Sequence, residues 1–321
     1  MINRILVRKY IGQSSLLFYS CGIALFAFAW VRVWVVSLLD MGQFRTILEQ
    51  FREFEKFAPI DFDALFTYPG RVGMTYDEPM VILCVVVWCI ARGSDVVSGE
   101  LGRGTLEMLL AQPVKRSTLL FSHATVSIGG LLFLCLLVWA GIGVGVFATS
   151  VNETVEQPTL QIPFFNFDVP LTIDSPATQE VPLRDRVDVR VYAASTLNLF
   201  ALGLFVLGLS TLFSSLDRYR WRTVGAVVGL YILQVVMYGL GKATSSLDWL
   251  LSFTFFSCYK PQKMTSLVTE QGLSAPWSLT ETLPEAMFPP LVYPLILIGL
   301  SILFYFLAYQ AFRNRDLPAP L

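Results

Sequence analysis

Apolar, charge-free stretches recur along this chain, separated by polar and charged intervals. Five of them, at 10–31, 117–152, 191–216, 223–241 and 286–312, run for 19 residues or more. A helix needs roughly 20 mostly apolar residues to cross a hydrocarbon core of ~30 Å, so each stretch predicts a membrane span. A sixth stretch, 79–91, has only 13 residues, but it is dense in Val, Leu, Ile, Cys and Trp and lies between Asp77/Glu78 and Arg92. It becomes long enough if its helix continues through Arg92 and Asp95, with the Arg92 side chain snorkelling to the headgroups. The pattern therefore predicts an all-α integral membrane protein, a single membrane domain over 1–321. Its six transmembrane helices fall at about 10–38, 76–97, 117–149, 191–216, 223–243 and 286–312.

Three connections are long: 39–75, 150–190 and 244–285. In the middle one, 159–164 and 187–191 alternate apolar and polar residues among prolines, which predicts a small β-containing outer lobe. In the third, Trp249, Leu250, Leu251, Phe253, Phe255 and Phe256 crowd into a run too short to span, so a re-entrant or interfacial helix is expected there.

Composition agrees with a bilayer as solvent: 55% of residues are hydrophobic and 15% charged, a balance ill-suited to a water-soluble surface. The net charge of −1 conceals a segregation that sets topology. With the N-terminus, 92–116, 217–222 and the C-terminal tail on one side, those segments hold 12 Lys/Arg against five acids, while the stretches 33–78, 153–190 and 242–285 carry the other 19 acids. By the positive-inside rule both termini are expected to be cytoplasmic. Arg4, Arg8 and Lys9 with Ala27-Phe28-Ala29 resemble a cleaved leader, but the apolar run continues through Val31, Trp34, Val35 and Leu39, too far for an ordinary signal sequence. Arg32 then lies at the outer end as an interfacial charge. Five cysteines are scattered, four of them in apolar runs, with neither a disulfide framework nor metal-ligand spacing, and nothing points to nucleic acid.

The segment 92–116 is more specific. Gly102 and Gly104 loosen the chain, Thr105 can cap a helix, Glu107 complements its positive end and Pro113 limits its run, giving about two turns. Leu106, Leu109 and Leu110 share one face and leave charged residues toward the cytosol. On this pattern alone, an amphipathic connector without a partner and a docking element are equally good readings.

Ser98-Gly99-Glu100, Gly104-Thr105-Leu106-Glu107, Leu109-Leu110, Gln112-Pro113-Val114 and Arg116 together resemble the hallmark segment of the ABC type-2 transporter permease family. The resemblance implies a cytoplasmic coupling helix within 98–116 that seats in a groove of a separate ATP-binding subunit. The implied contacts are Glu100, Gly104, Thr105, Leu106, Glu107, Leu110, Pro113 and Arg116. It also implies an exporter of two permeases, identical or different, and two ATPases, with ATP and Mg held by the ATPase and no cofactor in this chain. The bacterial cytoplasmic (inner) membrane is the implied address. Two features depart from the family pattern: the short second span and the long extended loop between spans three and four.

The chain has no G-x-x-x-x-G-K-[ST], so ATP hydrolysis is expected elsewhere. A membrane enzyme is disfavoured by a single histidine, His123, expected to be a packing residue, and by the lack of HExxH or GxSxG. No Arg-rich span or TVGYG-like filter suggests an ion channel. An ATPase-coupled accessory protein that passes force to an extracytoplasmic partner remains the alternative, kept open by the large outer loops. Gly141/Gly145 and Gly225/Gly229 are expected to serve close packing within the chain. The spans show no ionisable cluster that would select a cargo.

Overall fold

Asn3 opens the first helix by accepting a hydrogen bond from Ile5 N at 2.9 Å, and the apolar run behind it carries α1 (Arg4–Ser37). The fold is that of a computed structural model describing residues 3–38, 67–112, 114–154, 159–161, 168–170, 178–279 and 288–315. Among these, six helical stretches are long and apolar enough to cross a membrane. They are Arg4–Ser37, Tyr68–Gly93, Arg116–Ala148, Val189–Leu216, Arg220–Ala243 and Val292–Asn314.

The second stretch is longer than the sequence suggested, and it grows upstream. Thr67 caps α2 (Tyr68–Gly73), a 3-10 turn follows over Met74–Asp77, and Pro79 starts α3 (Pro79–Gly93). The candidate span runs past Asp77 and Glu78, although Glu78 is itself extended and caps α3. Glu78 Oε1 accepts from Arg32 Nε at 2.9 Å, so Arg32 closes an ion pair between the first two spans instead of facing water alone.

The remaining spans are α5 (Arg116–Ala148), α6 (Ala193–Leu216), α7 (Arg220–Ala243) and α9 (Val292–Asn314). Helix α6 is the central element, with most of its residues buried, whereas the buried residues of α7 are Thr223, Val227 and Gly241. It packs on α9 and α3, while α1 lies along α5. Gly141 and Gly145 allow that second contact, since a Cβ at either would press on Phe26 and Ala29 or on Val33 of α1. Gly225 and Gly229 behave otherwise: among the described residues nothing lies within 4 Å of a Cβ there, so no close contact among these residues requires either glycine.

On the far end from the termini, β1 (Ser150–Thr154) pairs antiparallel with β4 (Thr178–Pro182), and β2 (Thr159–Gln161) with β3 (Asp168–Pro170). The expected β lobe is present, but 187–191 is not part of it. Asp188 caps a 3-10 turn, Val189–Tyr192, that leads straight into α6. The run expected as an interfacial helix is 3-10 over Ser245–Phe253 and Phe255–Cys258. A helix the sequence reading did not foresee follows, α8 (Pro261–Gln271). It is fastened to α6, where Ser195 Oγ donates to Pro261 O at 2.8 Å and Asn198 bridges Cys258 O and Lys260 N at 3.0 and 2.9 Å.

Candidate functional site

Below α3 the chain widens into a π-turn, Asp95–Gly99, then a single turn, Glu100–Gly102, and α4 (Thr105–Leu110). A π-turn misaligns backbone partners, so its stability rests on what satisfies the freed groups. Ser214 of α6 does this: its hydroxyl accepts from Val97 N at 3.2 Å and Ser98 N at 3.0 Å and lies 3.1 Å from Ser94 O. Thr223 of α7 adds a hydrogen bond to Ser98 Oγ at 3.3 Å. The junction is thereby tied to two further spans.

The wide turn points Asp95 inward, 4% exposed, into a ring of guanidinium groups. Its carboxylate lies 2.7 Å from Arg103 Nη1, 3.3 Å from Arg220 Nη1 and 3.7 Å from Arg92 Nη1. Gly99 is required here, because a Cβ at that position would occupy the space of the Asp95 carboxylate. The hydrogen bond to Asp95 pushes the Arg103 guanidinium further above its already high range, keeping it charged. Arg92 does not snorkel outward as the sequence suggested. It is 3% exposed, and its Nη2 lies 3.1 Å from His123 Nε2. A guanidinium only donates, so His123 Nε2 accepts, which leaves Nδ1–H to donate to Ser127 Oγ at 3.3 Å. His123 is neutral in this arrangement and acts as a packing and hydrogen-bonding residue.

Glu100 is fully buried and carries the second carboxylate of the cluster. Lys9 Nζ donates to both its oxygens at 2.9 Å, Arg103 Nη2 lies 3.2 Å away, and the Thr105 hydroxyl also donates to it. Glu100 thus binds the first helix to the turn and does not face outward with the other charged residues. Thr105 is likewise not a cap: Gly104 occupies that position in the left-handed region, φ 69°, which glycine adopts without the steric cost of a side chain. Thr105 becomes the first helical residue, its hydroxyl turned back to Glu100.

Helix α4 has two faces. Leu106 is buried, and Leu109 and Leu110 pack with it against Leu6, Tyr10, Leu119 and Phe312 from the ends of α1, α5 and α9. The opposite face is open: Met108 is 73% exposed, Gly102, Arg103 and Gly104 are exposed, and Glu107 is half-buried. Arg116 begins α5, where its Nη1 donates to Phe312 O, Arg313 O and Arg315 O at 3.0, 3.2 and 2.8 Å, closing the C-terminal end of α9. Arg315 does the same for α6, donating to Ser215 O and Asp217 O at 3.0 Å.

Of the eight residues implied by the motif, Leu106, Leu110, Glu100, Thr105 and Arg116 point into the protein, and Gly104 and Glu107 flank the open face. Pro113 lies outside the described residues. Sequence reasoning missed Lys9, Asp95, Ser214 and Arg220 as members of this site. Only the i, i+3 spacing of Arg92 and Asp95, next to an apolar run, hinted that an ion network begins there.

The family model for ABC-2 family transporter proteins matches residues 2–173, which hold the first three spans and the whole of this segment. No curated protein matches the chain.

Proposed function

The chain belongs to the ABC-2 transporter family, an integral membrane protein with six candidate spans, and from that membership we propose that it is the permease subunit of an ATP-driven exporter. In this reading the 98–116 segment is the coupling helix on which a separate ABC ATPase seats, and ATP and Mg are bound by that ATPase alone. The supporting observation is the two-faced α4: a short exposed prominence rooted through buried leucines and ion pairs in the ends of several spans. Force applied to the open face reaches α1 through Glu100–Lys9, α6 through the Ser214-capped π-turn, α7 through Asp95–Arg220 and α9 through Arg116.

An ATPase can shift a permease between inward-open and outward-open states only by contacting the two differently. A lever that moves several helix ends as one unit turns such a contact into alternating access. The termini end is then cytoplasmic, in agreement with its excess of Lys/Arg, and the membrane is the bacterial cytoplasmic one. A second permease, identical or not, completes the pathway. The accessory-protein reading draws on the outer β lobe and α8, and it parts from the exporter reading in whether solute crosses at all.

Purification of the tagged chain from its native membrane tests the assignment. A distinct ATPase polypeptide is expected to co-purify, and the chain freed of it should hydrolyse no ATP. Hydrolysis by the isolated chain, or its purification without any ATPase, would contradict the subunit role.

A further inference from the structure

Beside the coupling segment, α1 and α7 both pack on α3 and leave between them a cavity of about 280 Å³. Arg92, Arg103 and Arg220 line it together with Asp95, and Gln13 and Ser14 add polar groups from α1. The charges do not balance. Among the described residues of the connected network, Lys9, Arg92, Arg103 and Arg220 face only the carboxylates of Asp95 and Glu100, a surplus of two positive charges. His123 makes its contact to Arg92 as a neutral acceptor and removes none of that surplus. The Nε of Arg92 is buried without a hydrogen-bond partner among the described residues, on a side chain 4% exposed that lines this cavity. A buried guanidinium N–H without an acceptor is costly, and a net cationic pocket with one such donor is built for an anion.

We propose that this groove binds the phosphate of an anionic headgroup, with Arg92, Arg103 and Arg220 as its cationic contacts. The size suits a headgroup and not a whole lipid, since small-molecule sites typically run from about 300 Å³ upward. The surroundings fit a lipid held from the side. Leu17 and Ala91 form the apolar part of the wall, Leu16 is 84% exposed on α1, and Trp221, next to Arg220, is 74% exposed, a side chain favoured at headgroup depth. A phosphate-bearing solute reaching the groove from the aqueous side would use the same contacts. The site makes no demand on the ATPase, so it stands or falls independently of the coupling role.

The test is native mass spectrometry of the detergent-purified chain titrated with phosphatidylglycerol or with zwitterionic phosphatidylcholine, with and without inorganic phosphate. One phosphatidylglycerol per chain should be retained at least about fivefold more tightly than phosphatidylcholine, on the scale of one cation acting on an anionic lipid. Arg220→Gln, which alters a side chain 43% exposed and so spares the fold, should lower that preference about fivefold, the share of one cation. Lys242→Gln, exposed at the other end of the same helix, should leave it intact. Displacement of the lipid by inorganic phosphate would assign the site to a soluble phosphate-bearing ligand, and its persistence would assign it to the lipid. Equal retention of the two lipids, or an unchanged preference in Arg220→Gln, would overturn the proposal.

Discussion

Asp95→Asn is expected to destabilise the protein by about 3 kcal/mol or more, the scale of removing one partner from a buried ion pair. The carboxylate is 4% exposed and is the nearest counter-charge to Arg92, which is equally buried. Neutralising it leaves that guanidinium without an anion inside the helix junction. Arg103 and Arg220 are more than a third exposed, so water screens the loss of their pairing and their share of the cost is small. Thermal unfolding in detergent measures the effect, and Asp95→Asn combined with Arg92→Gln should recover part of it by removing the orphaned charge. A melting temperature unchanged by Asp95→Asn would mean that the ring of arginines is held by something other than this carboxylate.

Glu107→Arg and Met108→Glu are expected to act in the opposite manner, leaving the fold intact while weakening ATPase association about tenfold or more, as substitutions at the centre of an interface do. Both side chains belong to the open side of α4, and neither contributes to the leucine cluster that roots it. Glu100 is a poor probe of the same idea despite its place in the motif. Buried beneath Lys9 and Arg103, it would report on folding first. Quantitative pull-down of the ATPase, paired with unfolding curves for each variant, separates the two cases. Normal association in both variants would remove α4 from the interface.

The spans were legible because a bilayer demands a long apolar run, and that demand leaves a plain mark on the sequence at 10–31, 191–216 and 223–241. The second span shows where the rule fails. Asp77 and Glu78 look like a boundary, yet Glu78 pairs with Arg32 across 46 residues, and no local pattern reveals such a partner. The segment around α4 was legible in its leucine spacing, which depends on helical period alone, and in its glycines. Its charges were not. Whether Glu100 faces out or in depends on Lys9, 91 residues away, and the depth of Asp95 depends on a π-turn that Ser214 satisfies from another helix. Long-range pairing also explains why an ionisable cluster arose where the spans, read one at a time, showed none.

The central claim is that a separate ATPase rests on the exposed face of α4. Cysteine cross-linking tests it most directly: with Met108→Cys in a background lacking Cys21, Cys84, Cys89, Cys135 and Cys258, a short bifunctional reagent applied to native membranes should join the chain to its ATPase. A cysteine replacing the exposed Glu270 in α8, on the lobe opposite the termini, should give no such product. Cross-linking from position 270 and not from 108 would contradict both the coupling role and the orientation of the chain in its membrane.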